Sequence, residues 1–161
     1  VCRPFNTYGP RQSARAVIPT VITQIAAGHA EIELGALSPT RDFNFVQDTV
    51  DGMIAILEAG GTAGETINLG SGHEISIGDL VKLIASVMGR EVAVVSRQER
   101  MRPENSEVER LLADASKAKR LTGWSPAFAG RDGLRRGLGL TAEWFAQPAN
   151  LARYRVGRYT V

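Results

Sequence analysis

Thr40-Arg41-Asp42-Phe43-Asn44-Phe45-Val46-Gln47-Asp48-Thr49-Val50-Asp51-Gly52-Met53-Ile54-Ala55-Ile56-Leu57 is the stretch on which the fold reading turns. Phe43, Asn44, Phe45 and Val46 alternate as the faces of a strand do. Beyond Asp48 the large apolar residues Val50, Met53, Ile54 and Leu57 recur at helical spacing. A period of two that gives way to 3.6 within a few residues is a strand feeding a helix. Asp48, just ahead of the stripe, reads as the helix N-cap. The stripe itself reads as the face turned to the core.

The same alternation continues on both sides. Upstream, Val1 to Asn6 reads as a short strand, and Asn6 to Gln12 as a loop of turn formers. A helix is expected from about Ala16 to Ala27, with Pro19 in its first turn and Gly28 as its stop. Glu31 to Leu34 reads as a strand and Gly35 to Thr40 as a loop. Downstream, Gly60-Gly61 ends the first helix and Thr66 to Leu69 reads as a buried strand closed by Gly70-Ser71-Gly72. Ser76 caps a helix through Leu80, Leu83, Ile84 and Val87 that Gly89 stops. Val92 to Val95 is a strand, and Ser96 to Glu109 a loop. Asp114 opens a short helix that ends before Gly123-Trp124-Ser125-Pro126, and an amphipathic helix runs from about Arg131 to Phe145. Pro148 to Val161 has no period. Strands alternating with helices make an α/β chain.

Composition narrows the function classes. The 161 residues are 43% hydrophobic and 22% charged, the balance of a globular chain rather than a disordered or fibrous one. A single cysteine excludes a disulfide framework and a multi-cysteine metal site, and a reducing, cytoplasmic setting is expected. No apolar run has the length of a membrane span. A net charge of +2, evenly spread, gives no footprint for nucleic acid. The basic residues are nonetheless 16 Arg against 3 Lys (Lys82, Lys117, Lys119). Genomic base composition can produce that bias, and so can arginines that face anions, since guanidinium binds phosphate through two parallel bonds.

Familiar catalytic sets are missing. His29 and His73 stand apart beside glycines and read as loop residues, with no ligand spacing for a metal. Cys2 reads as an inert core thiol. No P-loop and no Gly-x-Gly-x-x-Gly turn follows a strand. Three segments place basic or amide side chains beside strand ends, where ligands of open α/β sheets gather. They are Arg3-Pro4-Phe5-Asn6-Thr7-Tyr8-Gly9-Pro10-Arg11-Gln12, Arg41-Asp42-Phe43 with Val46 and Asp48, and Arg102-Pro103-Glu104-Asn105-Ser106-Glu107-Val108 followed by Ala113-Asp114-Ala115-Ser116-Lys117-Ala118 and Gly123-Trp124.

In this order the three segments resemble the C-terminal half of the NAD-dependent epimerase/dehydratase family, the extended short-chain dehydrogenases/reductases that act on nucleotide sugars. Pro39-Thr40-Arg41-Asp42-Phe43 and Arg102 to Asp114 are most similar to the 4,6-dehydratase type, on nucleotide-linked glucose or N-acetylglucosamine. The resemblance implies the C-terminal part of a Rossmann-type fold with its small α/β substrate-binding domain, over residues 1–147, and a C-terminal tail, 148–161. It implies that Asn6 binds the sugar diphosphate, that Arg41 and Arg102 clamp it, and that Glu107 holds the ribose hydroxyls. The helix near Ala16 would offer N–H groups to the same ligand. The resemblance also implies NAD as cofactor, hydride passing from sugar C4 to NAD and back to C6 after loss of water, and a homodimer. The family's dinucleotide fingerprint and its Tyr-x-x-x-Lys are not in these residues. With a chain that opens on Val1, they are expected upstream, so no catalytic residue is expected here and the 161 residues alone are expected to be inactive and prone to associate. A 4-epimerase of the same family and a non-catalytic nucleotide-sugar-binding module are the alternatives.

Overall fold

Nine short strands and six helices lie among the described residues, 1–97 and 108–154, of the computed structural model. They are β1 (Cys2–Pro4), β2 (Thr7–Tyr8), α1 (Val17–Ala26), β3 (Glu31–Leu34), β4 (Thr40–Asp42), β5 (Asn44–Phe45) and α2 (Val46–Glu58). Then follow β6 (Ile67–Leu69), β7 (Glu74–Ser76), α3 (Ile77–Val87), β8 (Ala93–Ser96), β9 (Arg110–Leu111), α4 (Ser116–Thr122), α5 (Gly130–Ala146) and α6 (Pro148–Leu151). The α/β expectation is met. The strands group into small sheets: β1 with β6, β2 with β5, β3 with β8, and β7-β4-β9 in that order. The pairs β1–β6, β2–β5, β3–β8 and β4–β9 are all parallel.

The chain divides into two units. The first contains residues 1–8, 40–75 and 110–137, and the second residues 9–39, 76–109 and 138–161. In the first, β1 runs beside β6 with Cys2 opposite Ile67 and Pro4 opposite Leu69. Ile67, Leu69, Ala118 and Trp124 form a buried cluster, with Cys2, Ala55, Ile56, Ala115 and Leu121 packed on it. Burial raises the Cys2 thiol pKa, in keeping with an inert thiol. In the second unit, α1 packs on α3 and on β3, burying Ile18, Val21, Ile22, Leu80 and Ile84. Ser76 caps α3 as expected, its Oγ accepting from Asp79 N at 3.1 Å. Phe145 is buried here, whereas Trp144, its edge-to-face neighbour, is half-exposed.

α2 departs from expectation in two respects. It starts at Val46, so its N-cap is Phe45 and not Asp48, which falls in the first turn. The face it buries carries Asp48, Thr49 and Gly52, while Val50, Met53, Ile54 and Leu57 are 43%, 39%, 46% and 84% exposed. The reason is a close approach. A Cβ on Gly52 would stand 2.7 Å from Leu69 Cδ2 and 3.0 Å from Trp124 Cε2, so only a glycine lets the helix lie this near β6. The apolar stripe, the stronger sequence signal, faces away from this unit's core.

Candidate nucleotide-binding site

β4 is the middle strand of its sheet, with Thr40 opposite Arg110 and Arg41 opposite Leu111 on β9. Successive side chains of a strand leave on opposite faces, so Thr40 and Asp42 share one face and Arg41 takes the other. The Asp42 carboxylate is fully buried. Its Oδ1 accepts from Ser71 N at 2.9 Å and Ser71 Oγ at 2.6 Å, and its Oδ2 from Gly72 N at 3.0 Å and Ala113 N at 3.1 Å. Four donors from two separate segments offset the burial of this carboxylate. A Cβ on Gly70 would overlap Ala113 and reach within 3.0 Å of Asp42 Oδ2, so glycine is required where the turn after β6 passes.

Asn6 follows β1 and is tied to the same strand. Its Nδ2 donates to the Asp42 carbonyl at 2.8 Å, and Asn44 N donates to the Asn6 carbonyl at 3.2 Å. A polar chain then runs inward. Asn44 Nδ2 donates to Thr49 Oγ1 at 2.8 Å, Thr49 Oγ1 lies 3.0 Å from Thr7 Oγ1, and Thr7 Oγ1 also contacts the Phe5 carbonyl. Arg41 is half-buried and donates through Nη1 to the Thr40 carbonyl at 2.8 Å. Asn6 and Arg41 are therefore mounted on adjoining segments joined through residue 42. Arg102 and Glu107 lie outside the described residues, as do Asn105 and Arg100.

The Thr40 face of this sheet carries an ion pair that the sequence did not disclose. Arg110 meets Glu74 with Nη2 to Oε1 at 2.6 Å and Nε to Oε2 at 2.8 Å, and Thr40 Oγ1 donates to Oε2 at 2.8 Å. The Arg110 and Thr40 bonds pull the Glu74 carboxyl down to about 2. Asp48 is the second buried carboxylate, accepting from Ala127 N at 2.8 Å and Phe128 N at 2.9 Å. Its role is thus to bind a distant loop to α2. Tyr8, fully buried, donates to the Leu134 carbonyl at 3.3 Å, and burial, with Asp48 nearby, raises its pKa well above the ordinary tyrosine value.

Two negative findings apply to the described residues. No cluster of three His, Cys, Asp or Glu side chains could hold a metal ion. No helix is long and apolar enough to cross a membrane. A dinucleotide pyrophosphate needs a strand that runs through a glycine-rich turn onto a helix N-terminus. Here β6 leads through Gly70 and Gly72 into β7, and β5 leads directly into α2. The described residues by themselves do not fit a dinucleotide. What they offer is an arginine on β4 and an amide beyond β1 tied to the same strand, the chemistry that receives an oxyanion.

The family model described as GDP-mannose 4,6 dehydratase matches residues 1–137. The GDP-6-deoxy-D-mannose reductase of Pseudomonas aeruginosa is 33% identical over 140 residues, which is 84% of this chain and 45% of the reductase. Among solved structures, RMD from Pseudomonas aeruginosa with NADPH superposes with a TM-score of 0.79 at 28% identity, covering 91% of this chain and 48% of that one. The UDP-glucuronic acid 4-epimerase of Bacillus cereus with UDP-glucuronic acid and NAD also gives 0.79 at 28% identity, covering 91% and 44%. The chain spans less than half the length of each of these relatives.

Proposed function

This chain belongs to the GDP-mannose 4,6 dehydratase family, within the NAD-dependent epimerases and dehydratases of the extended short-chain dehydrogenase/reductase fold, and from that premise we propose that it is the substrate-binding half of a nucleotide-sugar 4,6-dehydratase. The observation that carries the reading is the mounting of Arg41 and Asn6 on adjoining segments joined at Asp42, within a chain matched by a dehydratase model. Arg41 neutralises the diphosphate with a planar, multi-donor group, and Asn6 adds a neutral amide contact. Arg102 completes the clamp and Glu107 accepts from the ribose diol. Holding the nucleotide, remote from the reacting carbons, fixes the sugar for reaction.

The described residues do not fit a dinucleotide, so the nicotinamide cofactor is assigned to other parts of the enzyme; solved relatives carry NADPH or NAD. A second reading, a nucleotide-sugar 4-epimerase, is favoured by one observation: the Bacillus cereus 4-epimerase superposes as well as any structure described above. The test is the product formed by the protein as its gene encodes it, supplied with NAD and with UDP-N-acetylglucosamine, dTDP-glucose or GDP-mannose. Proton NMR is expected to show a 4-keto-6-deoxy sugar. A C4 epimer as sole product supports the second reading and overturns the first.

A further inference from the structure

We infer that Asp42 is a positioning residue for nucleotide binding: its buried carboxylate locks the turn after β6 and the segment after β9 onto β4, and so fixes the direction in which Arg41 leaves the strand. The inference rests on the proposed role of Arg41 in holding the diphosphate.

The carboxylate sits on the face of β4 opposite Arg41. It is bound from one side by Ser71 N, Ser71 Oγ and Gly72 N, and from the other by Ala113 N. β4 therefore cannot roll about its own axis without breaking several charge-assisted bonds together. The Asp42 carbonyl meanwhile takes the Asn6 amide, so the two candidate ligand groups share residue 42 as a common mount. The Ala113 contact adds a third connection. It anchors the chain two residues beyond β9.

A purely structural carboxylate would behave differently, and this chain supplies a matched control. Asp48 is also buried and also accepts backbone N–H groups, but its hydrogen-bond donors are Ala127 and Phe128, on a loop far from Asn6 and Arg41 in sequence.

The experiment is calorimetric titration of the protein as its gene encodes it with UDP, GDP and dTDP, at a temperature where circular dichroism shows every variant folded. Asp42→Asn is expected to weaken the best of these ligands about tenfold, the equivalent of about 1.4 kcal/mol. Ser71→Ala, which removes one bond of the four and is the milder change, is expected to weaken it about threefold, one of several bonds being lost. Asp48→Asn is expected to leave the affinity unchanged while lowering the melting temperature, and Asp42→Glu to restore none of the loss because the longer carboxylate misses its donors. Equal affinity in wild type, Asp42→Asn and Ser71→Ala overturns the inference, provided Arg41→Ala binds more weakly. Weakening by Asp48→Asn as large as by Asp42→Asn also overturns it, because both effects then follow stability. If Arg41→Ala binds as wild type does, the proposed role of Arg41 fails and the inference falls with it.

Discussion

Replacing Asp48 by alanine removes the acceptor of two backbone N–H groups. The carboxylate is 2% exposed and reaches Ala127 N at 2.8 Å and Phe128 N at 2.9 Å. A donor left without its partner costs about 1–3 kcal/mol, and both sites are partly reached by solvent, so the lower half of that range applies to each. The loss of an acidic group from the first turn of α2 costs about 0.3–1 kcal/mol against the helix dipole. The gain from alanine in helix propensity is at most about 0.7 kcal/mol, and these two offset one another. The net expectation is a loss of about 2–4 kcal/mol, or roughly 4–16 °C at about 2–4 °C per kcal/mol for a chain of this size. Urea unfolding followed by circular dichroism measures the total, and amide exchange of Ala127 and Phe128 measures the local effect. A loss below about 0.5 kcal/mol, the range of ordinary surface changes, with protection of both amides retained, would refute the reasoning.

Other consequences follow from single contacts. Glu74 has its carboxyl pulled from 4.5 to about 2 by Arg110 and Thr40, so the stability this pair contributes is complete above about pH 4.5 and lost as pH falls through about 2. Acid titration of the melting temperature should therefore show wild type and Glu74→Gln converging towards pH 2, and a constant gap would contradict it. Tyr8 holds its proton in the folded chain when free tyrosine ionises, so ultraviolet titration should show one tyrosine silent until alkaline unfolding. At Gly137 a Cβ would overlap the Tyr8 hydroxyl and lie 3.0 Å from Phe45 Cδ2, so Gly137→Ala should destabilise by about 1–3 kcal/mol despite its better helix propensity. The exposed stripe of α2 predicts that the purified 161 residues associate in sedimentation, and that Ile54→Lys with Leu57→Lys reduces it. A monodisperse wild-type monomer would dispose of that reading.

The legible parts of this fold were those in which one helix carries its own period and caps. α1 and α3 show their buried faces in spacing alone, and Ser76 and Gly123 mark helix ends by local geometry, Gly123 with φ of 75°. α2 misled because the residues it buries most fully are small or polar, Gly52, Thr49 and Asp48, which no hydrophobic period reveals. The two-residue strands β2, β5 and β9 are fixed by partners far away in sequence rather than by alternation. Asn6 and Arg41 are proposed through the family pattern. Asp42 was quoted in that pattern, but its role depends on donors 29, 30 and 71 residues away. An aspartate inside a strand is itself unusual, and that was the one local signal available.

The most direct test of the account is the affinity of the gene-encoded protein for nucleoside diphosphates with and without the Arg41 guanidinium. UDP, GDP and dTDP are titrated calorimetrically into wild type, Arg41→Ala and Arg41→Lys. The account predicts binding by wild type, a loss of about 1.5–3 kcal/mol in Arg41→Ala, the scale of a hydrogen bond to a charged group, and partial recovery in Arg41→Lys because an ammonium cannot form the fork. Equal affinity in all three proteins would contradict it.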